Sequence, residues 1–454
     1  MTSTPLPART EARLIARHAW TVLLGQLAVM AFGIVDTLVA GRYSNASLAA
    51  LSVGSAIYIS VYVALIGVVQ SLLPLFAELY GGDHWKKLGE HVQQAVYLSV
   101  ALMLVGMVIM LWPDTLLNLA GVPESMQGTV HDYLGILAWA LPPAMAFRLF
   151  STLHQALGKP RVVTWIQIMG LVIKAPLSAV LTFGWLGLPE LGVAGCAWAT
   201  WVVNYAMLGV GLWLILTQAF YRPLHLTSHW QAPHTATLAR MLRLGLPAGL
   251  SVMVEVTSFT MMSVYVARLG VVSSAAHQIA ANLTAVLYMI PLSLSIATSS
   301  RVGFWLGAKH AVHARMAART GFAILIPLGV AMAVLLAGFS GPLSRLYTQD
   351  TAVATLAASL LWWVALYHVA DVVQALCAFL LRCYQVTIAP FVLYASLLWG
   401  LGLFGGYWLC YHGILGIPAM QAPAAFWMAA TVALYAVAAC LLVLLVRTVK
   451  RHPI

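Results

Sequence analysis

Charge is scarce in this chain. Only 8% of its 454 residues are Asp, Glu, Lys or Arg, against about 25% in a soluble domain. With 62% hydrophobic residues and a mean hydropathy of +0.91, there is too little polar surface to cover a water-facing body. That excludes the soluble classes and leaves an integral membrane protein in a lipid bilayer. Acid is scarcer than base, 12 residues against 23, for a net charge of +11. The excess predicts no nucleic-acid partner, because the cations fall in short segments between apolar runs, where membrane orientation needs them. Cysteines number five (Cys196, Cys377, Cys383, Cys410, Cys440), without metal-ligand spacing, and read as small buried hydrophobes. There is no Walker loop, GxSxG elbow, HExxH or CxxC motif, so neither an ATP-driven pump nor an enzyme is expected. No signal peptide is expected either: the start is basic (Arg9, Arg13, Arg17) and the following apolar run is too long for an h-region.

What is present is a series of long apolar runs. Hydropathy places twelve spans at 14–40, 47–79, 90–112, 130–154, 161–184, 192–217, 239–267, 273–303, 315–339, 353–381, 387–411 and 420–446. Several exceed the crossing length, which implies tilt or kinks, and Pro142–Pro143, Pro247, Pro291 and Pro390 lie in or near spans. With both termini in the cytoplasm, eighteen cations fall on inner segments, Arg301 and Arg382 among them. Only Arg42, Arg268 and Arg345 fall outside, which satisfies the positive-inside rule.

The longest polar stretch, 218–238, sits near mid-chain and separates two halves that repeat weakly. "LYGGDHWKK" and "WLGAKHAVH" align at an offset of 226, and "QALGKPRVV" and "RCYQVTIAP" at 227. The expected fold is therefore all-α: two six-helix lobes, 1–220 and 239–454, joined by a cytoplasmic linker at 221–238 and related by a pseudo-twofold along the membrane normal. That is a common transporter plan.

Five ionisable residues fall inside spans: Asp36, Arg148, Lys174, Glu255 and Asp371. A charge at the bilayer centre costs about 2.5–3.5 kcal/mol or more, so such groups read as functional by default. Arg148, near a cytoplasmic helix end, is expected to snorkel. Asp36 and Lys174 lie at similar inferred depth on helices of one lobe and are expected to pair. Glu255 and Asp371 lie near mid-membrane with no basic residue deep in their spans. They can share a proton, hold a hard cation such as Na⁺, or stay protonated as structural donors. Tyr367 and His368 precede Asp371 by four and three residues and share its helix face.

At these residues the chain resembles the multidrug and toxic compound extrusion (MATE) family, in its NorM branch. The resemblance rests on "GIVDTLVAG", "PLFAELYGGD", "LGVAGCAWAT", "LYMIPLSLSIATSSRVGFWLGA", "YTQDTAV" and "VADVVQALCAFLLRCYQVTIAP". It implies a monomeric inner-membrane antiporter that exports lipophilic, mostly cationic drugs and dyes. The exchanged ion is inward H⁺ or Na⁺, with no further cofactor. Asp36, Lys174, Glu255, Tyr367, His368 and Asp371 are then the coupling candidates, with Glu255, Tyr367 and Asp371 as the Na⁺ ligand set. Cargo would meet Ser55, Phe259, Gln278, Tyr288 and Asp350. The family usually carries asparagine where this chain has Lys174, which puts an Na⁺ site beside Asp36 in doubt. The alternative is a lipid-linked precursor flippase of the same superfamily, whose cavity is richer in arginine and lysine.

Overall fold

The computed structural model describes residues 7–119, 122–226, 230–414, 416 and 418–451. Helices form wherever hydropathy places spans. The first half contains α1 (Ala8–Tyr43), α2 (Asn45–Gln70), α3 (Leu73–Gly81), α4 (Trp85–Leu111), α5 (Asp114–Leu119), α6 (Glu124–Ala156), α7 (Pro160–Phe183) and α8 (Val193–Thr217). The second contains α9 (Thr235–Ala267), α10 (Val271–Gly307), α11 (Ala311–Gly338), α12 (Ser340–Tyr347), α13 (Thr351–Cys383), α14 (Ile388–Tyr394), α15 (Gly405–Tyr411) and α16 (Ala424–Arg451). A π-helical stretch, Ala395–Phe404, joins α14 to α15. Twelve spans are long and apolar enough to cross a membrane among the described residues, and no strand occurs there. Only such closed hydrogen-bonding elements suit a hydrocarbon environment.

The repeat is sharper in the backbone than in the sequence. Helices start at 45 and 271, at 85 and 311, and at 114 and 340, each pair 226 apart. Four short turns, two in each half, close the same way. His84, Lys159, His310 and Val386 each donate a backbone N–H to the carbonyl five residues earlier, at 2.8–3.0 Å. This is the Schellman closure, which needs a left-handed residue just before the donor. Gly158 supplies it without strain at φ 67°, whereas Asp83, Lys309 and Gln385 adopt φ of 58°, 60° and 59° against the steric cost of a Cβ.

The chain divides into two compact units, Thr21–Gly249, and Met1–Trp20 together with Leu250–Ile454. The division falls inside α1 and α9. Of the segment expected as a cytoplasmic linker, residues 221–226 and 230–238 fall in the first unit, and their polar contacts show why. Gln93 and Gln94 on α4 are buried. The Gln94 amide donates to the Ala232 carbonyl at 3.0 Å and accepts the His234 N–H at 2.8 Å. Gln93 reaches the carbonyls of His225 and Leu226 and accepts from the Gln231 N–H. Gly89 makes room for the backbone: a Cβ there would overlap the Leu224 carbonyl oxygen at 1.8 Å. Phe220 packs edge-on against Trp85 and lies under the Lys159 ammonium, 3.1 Å from the ring centroid. Burial there lowers the Lys159 pKa from its usual value. Four short-range devices thus fix a segment whose composition reads as loop.

Three further expectations change. Arg148 does not snorkel; it is 8% exposed, with its Nε lacking a hydrogen-bond partner among the described residues. Arg301 and Arg382, counted as loop cations, are buried helical residues. The charge asymmetry stands without them. Among the cysteines, Cys440 is exposed and the other four are buried, none in a disulfide among the described residues.

Candidate functional sites

In the first unit, two helices present polar rungs to α1. Lys174 and Ser178 are four residues apart on α7, and Cys196 and Thr200 four apart on α8, so each pair shares a face. Lys174 is fully buried, and its Nζ lies 3.0 Å from Asp36 Oδ1. The same ammonium donates to Thr200 Oγ1 at 2.6 Å, and that hydroxyl donates to the Cys196 carbonyl at 2.9 Å. Ser178 Oγ donates to Asp36 Oδ1 at 3.2 Å. The Phe32 ring, one turn before Asp36, has its centroid 5.8 Å from Nζ. The expected Asp36–Lys174 contact is thus a buried, hydrogen-bonded ion pair. Its two charges compensate each other, which a lone charge at that depth cannot.

In the second unit, α9 and α13 carry the acids. Asp371 is 1% exposed and accepts from the Gln374 amide at 2.8 Å. Gln374 in turn accepts from the Tyr394 hydroxyl. Glu255 is half-buried and lies within electrostatic range of Asp371 and of Arg382. The sequence places no basic residue deep in these spans and Arg382 among the inner-side cations; from the end of α13, Arg382 still comes within electrostatic range of Glu255. Arg382, in the last turn of α13, is buried and stacks on Phe379 at 4.4 Å. Its guanidinium is within electrostatic range of Glu255, which counting residues along the helix does not reveal.

Glu255, Ser258, Phe259, Met262, Tyr367, Leu398 and Ala430 enclose a cavity of about 10 Å³, near the least that admits one water-sized guest. Phe259 and Tyr367 meet edge-to-face across 5.9 Å. The structure therefore brings Glu255, Tyr367 and Phe259 to one cavity. Tyr288 is within electrostatic range of both acids. His368 is buried with Nε2 lacking a hydrogen-bond partner among the described residues.

The other expected cargo residues lie elsewhere. Ser55, in the first unit, sits 3.4 Å from the Tyr133 hydroxyl. Gln278 is exposed and its amide reaches Asn282 at 3.4 Å. Asp350 caps α13, with Oδ1 accepting from the Ala352 and Val353 N–H groups at 2.8 and 3.2 Å. Asp350 and Asp371 are about 30 Å apart along α13, at 1.5 Å per residue.

A compact buried cluster escaped the sequence reading. Glu11, in the first turn of α1, is fully buried against Arg301 and Trp305 of α10. An acid in a helix's first turn reads as a solvated dipole partner. The signal that distinguishes it is its place in the stripe Glu11, Ile15, His18, all buried, at the spacing of a packed face.

The MatE family profile matches residues 22–180 and 247–408, one segment in each half of the chain. The chain belongs to the MatE family. A probable multidrug resistance protein NorM from Aromatoleum aromaticum is 38% identical over 99% of this chain and 97% of its own length. The multidrug resistance protein MdtK of Pectobacterium atrosepticum is 31% identical over 98% of this chain and 97% of its own. Among solved structures, the Vibrio cholerae MATE transporter VcmN in the bent form superposes with a TM-score of 0.85. It covers 98% of both chains at 18% identity, a likeness of fold. The two matched segments of this MatE protein each contain one of the acid sites, Asp36 with Lys174 and Glu255 with Asp371.

Proposed function

We propose that this MatE protein is a secondary active antiporter of the inner membrane, exporting lipophilic, mostly cationic compounds in exchange for inward H⁺, Na⁺ or both. The observation that carries the reading is the second-unit cavity. It sets a carboxylate, Glu255, beside the Tyr367 ring in a space of about 10 Å³, room for one water-sized guest, which suits a coupling ion. Glu255 and Asp371, with Tyr367 beside them, are the coupling groups of that unit and the donor set that fits Na⁺, since carboxylate and phenol oxygens suit a hard cation. Asp36 is the coupling acid of the first unit. There the Lys174 ammonium already fills the place of a cation at 3.0 Å, so that unit responds to protons and not to Na⁺. Names of relatives such as multidrug resistance protein MdtK support a drug cargo, and the charge asymmetry supports both termini in the cytoplasm.

The test is ethidium transport in proteoliposomes with H⁺ and Na⁺ gradients imposed separately. The wild type moves ethidium under at least one gradient. Glu255→Gln and Asp371→Asn insert normally and do not. Full transport by both variants would remove the second-unit acids from the mechanism.

A further inference from the structure

We propose that Ser258 is an oxygen ligand of the coupling cation: with Glu255 and Tyr367 it holds a bare Na⁺ in the second-unit cavity, and the Trp399 indole keeps its hydroxyl available for that ion. The ion is the Na⁺ of the export reading above, on which the proposal rests. It adds to that reading a ligand and a positioning residue.

Three of the seven side chains around the cavity carry oxygen: Glu255, Ser258 and Tyr367. Glu255 and Ser258 are three residues apart on α9 and share its face, while Tyr367 belongs to α13 and is 2% exposed. None of the three makes a side-chain hydrogen bond among the described residues. Polar groups inside a protein are nearly always paired, so three such oxygens around one space of about 10 Å³ point to a guest. The space admits one of water size. A bare cation gains most there, because carboxylate and hydroxyl oxygens suit a hard ion. Asp371 is not in the lining, and its Oδ1 is taken by the Gln374 amide. Its charge therefore acts at range, and Ser258 supplies the third oxygen.

Neighbouring hydroxyls on α9 show what Ser258 forgoes. Thr257, Thr260 and Ser263 each donate to the carbonyl four residues back, those of Met253, Val256 and Phe259, at 2.7, 3.1 and 3.0 Å. That back-bond is the ordinary outlet for a hydroxyl inside a helix. For Ser258 the acceptor would be the Val254 carbonyl. That oxygen already accepts the Trp399 indole N–H at 3.2 Å, and the Thr257 hydroxyl crowds it at 3.2 Å. The helix itself claims one of its two lone pairs, so no place remains for Ser258. Trp399 belongs to the π-helical stretch Ala395–Phe404, whose Leu398 lines the same cavity. One indole thus takes the acceptor that would otherwise turn the serine away from the cavity.

The experiment titrates radioactive Na⁺ onto the purified full-length protein at fixed pH. The part of the signal that Glu255→Gln removes belongs to this cavity. For that part, Ser258→Ala raises the half-saturating Na⁺ concentration about tenfold, the size of one lost contact to a charge, with the melting temperature in Na⁺-free buffer near wild type. Ser258→Cys keeps the shape but puts soft sulfur in place of a hard oxygen, and it shows the same rise; a packing role would leave it at wild type. Trp399→Phe frees the Val254 carbonyl, so Ser258 turns back onto it and Na⁺ affinity falls, although Trp399 does not line the cavity. In the Ser258→Ala/Trp399→Phe double variant that second effect disappears, because the hydroxyl being positioned is gone; its persistence would overturn the positioning role. If Ser258→Ala fails to fold, Ser258→Cys and Trp399→Phe carry the test. Wild-type Na⁺ affinity in the Ser258 variants overturns the proposal, as does a wild type that binds no Na⁺. If that wild type still moves ethidium under a proton gradient, the export reading stands without this proposal. A wild type that binds Na⁺ through Ser258 yet moves ethidium under neither gradient overturns the export reading and leaves the Na⁺ site.

Discussion

Arg301 clasps Glu11 across 290 positions of sequence, its Nε and Nη2 donating to the two carboxylate oxygens at 2.6 and 2.7 Å. Neither partner is exposed by more than 2%. Removing one side of such a pair leaves an uncompensated buried charge, at a cost of about 3–5 kcal/mol. Glu11→Gln and Arg301→Met are therefore each expected to lower the melting temperature in detergent. The Glu11→Gln/Arg301→Met double variant should recover much of the loss. A thermal melt of the four proteins checks this, and an additive result would deny the pair its role.

Asp36 and Lys174 make the second prediction. Asp36→Asn strands an ammonium, and Lys174→Ala strands a carboxylate. Each single change is expected to cost about 3–5 kcal/mol, and the double change less than their sum. Because Ser178 and Thr200 remain to satisfy the polar atoms, the double variant should insert and melt close to wild type. Its transport, by contrast, should lose dependence on the proton gradient. A cycle with zero coupling energy in the melts would contradict the 3.0 Å contact.

Asp350 carries two readings that one pair of substitutions separates. Asparagine is as good an N-cap as aspartate, whereas alanine costs about 1 kcal/mol at such a position. Asp350→Ala is expected to destabilise the start of α13, read as faster amide exchange at Ala352 and Val353, while Asp350→Asn leaves exchange unchanged. If the charge also meets cargo, Asp350→Asn weakens export of cationic dyes more than of neutral ones. Equal export of both restricts Asp350 to the cap.

The four Schellman turns predict opposite effects of glycine. Lys309 is exposed and holds φ 60°, so Lys309→Gly is expected to raise stability by about 1 kcal/mol by relieving the left-handed strain. Gly158→Ala, at φ 67°, should lower it by a similar amount. Asp83→Gly should gain less, because it also loses the 2.6 Å bond that Asp83 Oδ1 accepts from the Trp85 indole. Denaturation midpoints of the three variants provide the ranking.

The sequence made the spans legible because a span is an average. Some twenty residues each report the same solvent, so the expected edges fall within about seven residues of the observed helices. The acids were legible for the complementary reason, since a carboxylate inside an apolar run is costly enough to need a cause. What remained hidden depends on which side chain meets which. Glu11 lies in a first turn, where an acid is ordinary. That Arg382 comes within electrostatic range of Glu255 is not revealed by spacing along the helix. His277 owes its two bonds to Ser263 and Trp427, the latter 150 positions away. Such contacts leave no periodicity.

The docking of residues 219–226 and 230–234 on α4 bears on how the molecule can be instrumented. A fluorophore or spin label at Ala232 rides on Gln94, which holds the Ala232 carbonyl and the His234 N–H. Such a probe is a fiducial mark for the first unit, even though the sequence places it between the two halves. Distance measurements that need a reporter on the second unit should instead use its own exposed helix faces, such as Val312 on α11 or Trp362 on α13.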